Sequence, residues 1–184
     1  MNMKKPIVLS ISAVSGGGKT TIIEKLKEIL PNSISLHFDE YDFDCPKEII
    51  DWVQRGADYS EYILTPLIDD IKEIISSEKT LEWILLDYPF SYVKDDIGNY
   101  IDVSIFLDTP LDVAMSRRLL RDHENSLNKD ILDDIRCYLN YGRVCYLEML
   151  KTVKPTCDLV IEGNQVQDKI IQEILDYLDK QMLG

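Results

Sequence analysis

A short apolar run, Ile7 to Ala13, passes directly into Gly16-Gly17-Gly18 and then Lys19-Thr20, and few folds can accommodate that succession. The run reads as a buried strand ended by a glycine turn. Thr20 to Leu30 follows as a helix, with Ile22, Ile23, Leu26, Ile29 and Leu30 on one face and Pro31 as its stop. Ala13 through Thr20 fits the phosphate-loop pattern G-x-x-x-x-G-K-[ST], apart from alanine at the first position. Glycines let backbone N–H groups converge on phosphate oxygens without side-chain interference, and the N-terminal dipole of the helix adds to them. The contacts expected from this stretch are Ser15, Gly16, Gly17, Gly18 and Thr21. Lys19 would reach the β- and γ-phosphates, and Thr20 would ligate Mg²⁺. The methyl of Ala13 must be accommodated where the strand leaves the sheet. The spacing predicts a nucleoside triphosphate site.

The rest of the chain alternates in the same way. Ser33 to Phe38 places Ile34, Leu36 and Phe38 on one side, as a half-buried strand should. Pro66 to Ser76 reads as a helix, Trp83 to Leu86 as a fully apolar strand ending at Asp87, and Val103 to Leu107 as another ending at Asp108. Thr109 is expected to cap the next helix, with Pro110 at its first position and Asp112 in its first turn. One long helical stretch is predicted over Ser126 to Lys151, a last strand over Leu159 to Ile161, and a closing helix over Gln165 to Leu183. Strands alternating with helices imply a single α/β domain over residues 1–184, with a mainly parallel five-stranded sheet flanked by helices in three layers. Parallel sheets bind ligands beyond the carboxyl ends of their strands. That edge would gather the glycine loop, Asp39, Asp87, Asp108 and Gly163.

Composition narrows the partners. Lys and Arg number 20 against 33 Asp and Glu, a net charge of −13, and a nucleic-acid backbone needs a basic face instead. The four cysteines form no Cys-x-x-Cys pair, and the two histidines show no zinc-ligand spacing. Reduced, mostly buried thiols are expected. The N-terminal apolar run is broken by Ser10 and Ser12 and leads into glycines, unlike a cleaved leader, and no segment approaches the ~20 apolar residues of a membrane-spanning helix. A cytoplasmic enzyme with no nucleic-acid or membrane partner is expected. The oligomeric state is left open, a homodimer among the options.

Guanine-reading sequence is missing: Asn128-Lys129-Asp130 sets its aspartate one place too early, and Asp95-x-x-Gly98 does not follow an apolar strand. The sequence instead resembles the uridine kinase-like family of P-loop small-molecule kinases, which includes phosphoribulose kinases. The likeness is carried by VLSISAVSGGGKTTI, SISLHFDEYDF, SIFLDTPLDVAMSRRLLRD and DLVIEGN. It implies the P-loop NTPase fold with a short helical lid at about residues 117–128. It also implies an ATP- and Mg²⁺-dependent transfer of the γ-phosphate to a hydroxyl of a small acceptor, a nucleoside such as uridine or a nucleoside-like metabolite. By the same resemblance Asp39 is the candidate general base, and Asp87 either holds the metal or competes for the base role. Arg117, Arg118 and Arg121 are candidate phosphate ligands, the latter two catalytic. Gly163 and Asn164 would line the nucleotide base. Where relatives carry further lid arginines, this chain reads His123-Glu124-Asn125-Ser126-Leu127.

Between Asp39 and Pro66 only Lys47 and Arg55 oppose eight carboxylates. A phosphorylated acceptor would want an arginine clamp there, so an uncharged or cationic polyol is favoured. Asp58 is a candidate for ribose hydroxyls, and Tyr41 and Tyr88 for stacking on a base. Two other readings share the loop: an NTPase that drives a partner protein, as metal-insertion chaperones do, and a nucleotide-binding module without turnover.

Overall fold

The computed structural model describes residues 5–77, 80–124 and 126–182. The central strand β1 (Ile7–Ser12) is buried on both faces, so it must be covered from both sides. It runs into α1 (Lys19–Ile29) through the glycine turn. After β2 (Ser33–His37) come two helices, the short α2 (Ile49–Gln54) and, further on, α3 (Thr65–Ser76), which leads to β3 (Trp83–Asp87). A one-turn α4 (Asp95–Gly98) precedes β4 (Val103–Asp108) and α5 (Leu111–Asp122). The chain closes through α6 (Asn128–Cys137), α7 (Arg143–Thr152), β5 (Leu159–Glu162) and α8 (Gln167–Met182). The five strands form one wholly parallel sheet in the order β2-β3-β1-β4-β5.

Neighbouring residues on each strand enter opposite cores, the two-residue period of a pleated strand. Val8, Ile84, Leu86 and Phe106 pack with Leu64, Leu67 and Ile71 of the α3 region on one face. Leu9, Ile11, Leu85, Ile105 and Leu107 pack with Ile22, Ile23 and Leu26 of α1 and Ile170, Ile174 and Leu178 of α8 on the other. The predicted three-layer architecture is the one observed.

Several local expectations change. The stretch predicted as one helix from Ser126 to Lys151 is interrupted by a π turn at Tyr138–Gly142 between α6 and α7, where Gly142 lowers the helical preference. The acidic segment after Asp39 folds α2 and a 3₁₀ turn at Tyr59–Glu61, because Trp52 and Tyr59 are buried against each other, ring centroids 5.1 Å apart. Ile29, expected to face inward, is exposed. Of the thiols expected to be buried, Cys45 and Cys137 are exposed and Cys145 and Cys157 only half-buried, all four free. The closing helix starts at Gln167, and its predicted end at Leu183 lies outside the described residues. No helix among the described residues is long and apolar enough to cross a membrane.

The segment expected as a lid, 117–128, is the C-terminal half of α5 and the turn into α6, with Asn125 outside the described residues. Asp134 ties these elements together: it accepts hydrogen bonds from the Arg118 guanidinium and, at 2.9 Å, from His123 Nε2. Burial works to raise the Asp134 pKa, but hydrogen bonds from His123 and Arg118 hold it below the usual carboxylate range. A depressed carboxylate stabilises the fold above its unfolded pKa of about 4, and that contribution is lost as pH falls through the lower folded value. Asp134→Asn is therefore expected to cost ~2 kcal/mol at pH 7. Thermal unfolding of wild type and variant should differ at pH 7 and converge in strong acid; a gap that persists below about pH 2 would contradict the assignment.

Candidate active site

The loop between β1 and α1 keeps its shape because its neighbours leave room only for glycine. Gly16 has φ +78°, and a Cβ there would fall on the carbonyl oxygen of Ala114 in α5. At Gly17 an added Cβ would lie 2.6 Å from the Ala13 methyl, so the alanine that departs from the motif is accommodated by a side-chain-free position four residues on. The Thr109 hydroxyl donates to the Gly17 carbonyl at 2.8 Å, fully buried. This corrects the expected role of Thr109: no side chain caps α5, whose N-cap is Pro110, and the threonine holds the loop instead. Beneath the loop, Val14 and Ala114 pack on Tyr146 of α7.

The loop opens on a cavity of about 490 Å³ lined by Ser15, Gly16, Gly18, Lys19, Thr20, Thr21, Asp39, Arg117 and Arg121. Three cations converge here in a chain of strong net negative charge. Desolvation is the largest influence on the Lys19 ammonium and lowers its pKa, Asp87 and Asp39 oppose it, and Arg121 lowers it further. The Arg121 guanidinium is raised chiefly by its hydrogen bonds to Asp122, with Asp39 contributing. Arg118 is elsewhere. Although three residues from Arg121 on the same helix, it turns to Asp134 and to the Met115 sulfur, so the catalytic role expected of it is replaced by a tie between α5 and α6. The next arginine, Arg136, pairs with Asp133 on the surface.

Asp87 closes β3, is buried, and accepts from the Thr20 hydroxyl at 2.5 Å. His37, at the end of β2, sits between it and Glu24, with its ring nitrogens 3.3 Å and 3.1 Å from the two carboxylates. A hydroxyl and a carboxylate of this kind are hard oxygen donors suited to Mg²⁺. Asp39, by contrast, is exposed in the 3₁₀ turn at Phe38–Glu40 and faces the cavity.

A second, smaller cavity of about 160 Å³ adjoins the first and shares Gly18, Thr21 and Arg117 with it. Ile22, Leu107 and Ile170 supply apolar walls, and Gly163, Gln165 and Gln167 polar ones. Gly163, named from sequence, is buried here and its carbonyl accepts from Arg117 Nη1 at 3.1 Å. Asn164 is exposed and does not line the cavity. Gln165 and Gln167 escaped the sequence reading; their place just before and at the start of α8 was the available signal.

Of the acceptor candidates, Tyr41 stacks on Phe43 with ring centroids 5.6 Å apart, and its hydroxyl donates to Asp70 at 2.7 Å. Tyr88 is fully buried against Phe38 and Phe90, so the stacking expected of it is corrected to core packing. Asp58 caps the following 3₁₀ turn by accepting from the Ser60 N–H, and lines a separate surface cavity with Tyr59, Lys94, Asp95 and Asp96.

No family model matches the chain. A uridine kinase of Borrelia hermsii is 26% identical over 194 residues, covering 93% of each chain. A uridine kinase of Schizosaccharomyces pombe is 25% identical and covers 95% of this chain but 44% of that one. Among solved structures, a sugar kinase from Janibacter sp. HTCC2649 superposes with a TM-score of 0.56 over 95% of each chain at 17% identity. A shikimate kinase from Aquifex aeolicus superposes with a TM-score of 0.53 over 97% of this chain and 99% of that one, at 14% identity. Sheet order and flanking helices match those of P-loop kinase structures. The chain is thus similar, over nearly its whole length and at low identity, to proteins named uridine kinases.

The two arginines of α5 separate experimentally. Arg121→Met removes a charge-assisted contact and is expected to weaken Mg·ATP binding about 10- to 100-fold by calorimetry. Arg118→Met should change that affinity less than about threefold while lowering the unfolding temperature. The reverse pattern would return Arg118 to the phosphate site.

Proposed function

We propose that the chain transfers the γ-phosphate of ATP to a hydroxyl of a small unphosphorylated acceptor, with a nucleoside or nucleoside-like metabolite as the favoured class. One observation carries this reading: Asp39 lines the same cavity as the phosphate loop, together with Lys19, Arg121 and Arg117. A carboxylate facing the phosphates can take the proton of an incoming hydroxyl as its oxygen attacks the γ-phosphorus. The bond from that phosphorus to the β–γ bridging oxygen breaks, and ADP leaves. Lys19 and Arg121 stabilise the charge that builds on the transferred phosphoryl oxygens. Thr20 and Asp87 are the residues that would hold Mg²⁺, which neutralises charge on the β- and γ-phosphate oxygens when bound. The burial of Asp87 and its bond to Thr20 favour that role over the base role.

Charge supports the acceptor class. The nearly buried Lys94 is paired with Asp96 at 2.9 Å, and Arg55 is held by Asp51 and Glu61. These two cations are therefore neutralised, which supports an uncharged acceptor over a phosphorylated one. The uridine kinase names of the distant relatives point to a nucleoside, and the sugar and shikimate kinase neighbours keep other polyols in view.

The test is ADP release from Mg·ATP across nucleosides, simple sugars and shikimate, with products weighed by mass spectrometry. One compound should stimulate turnover and gain a phosphate, and Asp39→Asn should cut that turnover about 10²- to 10⁴-fold while Mg·ATP affinity holds within about threefold. Hydrolysis indifferent to every compound would overturn the kinase reading. Loss of nucleotide affinity in the variant would move Asp39 to the metal.

A further inference from the structure

Thr20, Asp87, His37 and Glu24 close a ring of polar side chains at the start of α1, and the transfer described above uses only the first two. His37 and Asp87 are register partners at the carboxyl ends of β2 and β3, so their side chains stand together on one face of the sheet. Thr20 and Glu24 lie one turn apart on α1 and meet that pair from the helix. The Thr20 hydroxyl donates to Asp87 Oδ2 at 2.5 Å, and His37 Nδ1 lies 3.3 Å from the same oxygen. The other ring nitrogen, Nε2, lies 3.1 Å from Glu24 Oε1 and 3.1 Å from Ser35 Oγ. The Asp87 carboxylate only accepts, so Nδ1 carries the hydrogen of that contact whichever partner Nε2 takes.

Asp87 depends on such donors. Its side chain is 8% exposed and that of His37 15%, so water does little to fix the carboxylate and protein groups must. Two donors on Oδ2, one from α1 and one from β2, set its orientation from different directions. The histidine can serve as a fixed point because its far nitrogen is engaged by Glu24 and Ser35, neither of which lines the phosphate cavity. Ser35 in turn accepts from Lys27 at 3.0 Å. With its proton committed to Asp87, the Thr20 oxygen keeps its lone pairs for a metal.

We propose that His37 is a positioning residue for Asp87: its Nδ1–H holds the carboxylate against the Thr20 hydroxyl and so presets the oxygen donors offered to Mg²⁺. The inference rests on the kinase reading above and deepens its metal site. His37 does not line the phosphate cavity, so it acts through Asp87 and not on the nucleotide. Groups that hydrogen-bond a metal's carboxylate from behind orient it and tune the affinity of the site.

Titration of Mn²⁺, followed by its EPR signal, into the intact chain saturated with AMP-PNP reads the metal site apart from turnover. His37→Leu should weaken Mn²⁺ binding about tenfold, while affinity for AMP-PNP in EDTA stays within about threefold of wild type. His37→Asn keeps an N–H donor at the place of Nδ1 and should stay within about threefold of wild type for Mn²⁺. His37→Gln, with its amide at the place of Nε2 and no donor at Nδ1, should behave as His37→Leu and serves where that variant fails to fold. In an Asp87→Ala background the loss should vanish, because the histidine acts through that carboxylate. Wild-type Mn²⁺ affinity in folded His37→Leu or His37→Gln, no recovery in His37→Asn, or a loss of equal size without Asp87 would each overturn the positioning role and leave the kinase reading standing. Mn²⁺ held no tighter by the wild-type complex than by AMP-PNP alone would sink the metal site and this proposal with it, and a wild type that binds no AMP-PNP would sink the kinase reading too.

Discussion

A chain with a net charge of −13 can hold a triphosphate only where backbone N–H groups and a few cations are forced together, and the rest of this structure serves that convergence. The forcing is steric. Gly16 lies against the α5 backbone, Gly17 lies against Ala13, and the buried Thr109 hydroxyl pins the Gly17 carbonyl. With the loop so confined, Lys19, Arg117 and Arg121 face one cavity, and the acids that would cancel them are kept to defined places: Asp87 on the Thr20 hydroxyl, Asp39 in the cavity wall. The sheet order places β1 between β3 and β4, so the loop after β1 has Asp87 from β3 on one side and Thr109 after β4 on the other. Both ties come from chain segments adjacent in the sheet and distant in sequence.

The division of labour among the α5 arginines follows from what faces them. Arg121 looks toward Asp39 and Lys19, and Arg118 toward Asp134. Helical spacing alone put them on one face. The second partner, Asp134, lies on α6 beyond a turn whose path no local pattern reveals, so the sequence could not separate a cavity-lining arginine from a structural ion pair. Tyr88 failed for the same kind of reason. It follows a buried strand, but whether it emerges into a site or returns to the core depends on Phe38 and Phe90, which come from other segments.

What was legible in the sequence was short-range or periodic. The strand–glycine–helix unit, the apolar strands and their terminal acids were readable because each needs only a few consecutive residues to announce itself. Thr109 sits in a local pattern that misdirects. A threonine before Pro110 matches a helix start, and only the folded chain shows its hydroxyl aimed at Gly17.

The most direct test of the central claim is a crystal structure with Mg²⁺ and AMP-PNP. The γ-phosphate should lie on Lys19 and Arg121 with the Asp39 carboxylate facing its phosphorus across a gap wide enough for one acceptor hydroxyl, and the metal should sit on Thr20 on the side of Asp87. Asp39 found coordinating the metal, or turned away from the γ-phosphate, would contradict its role as the base.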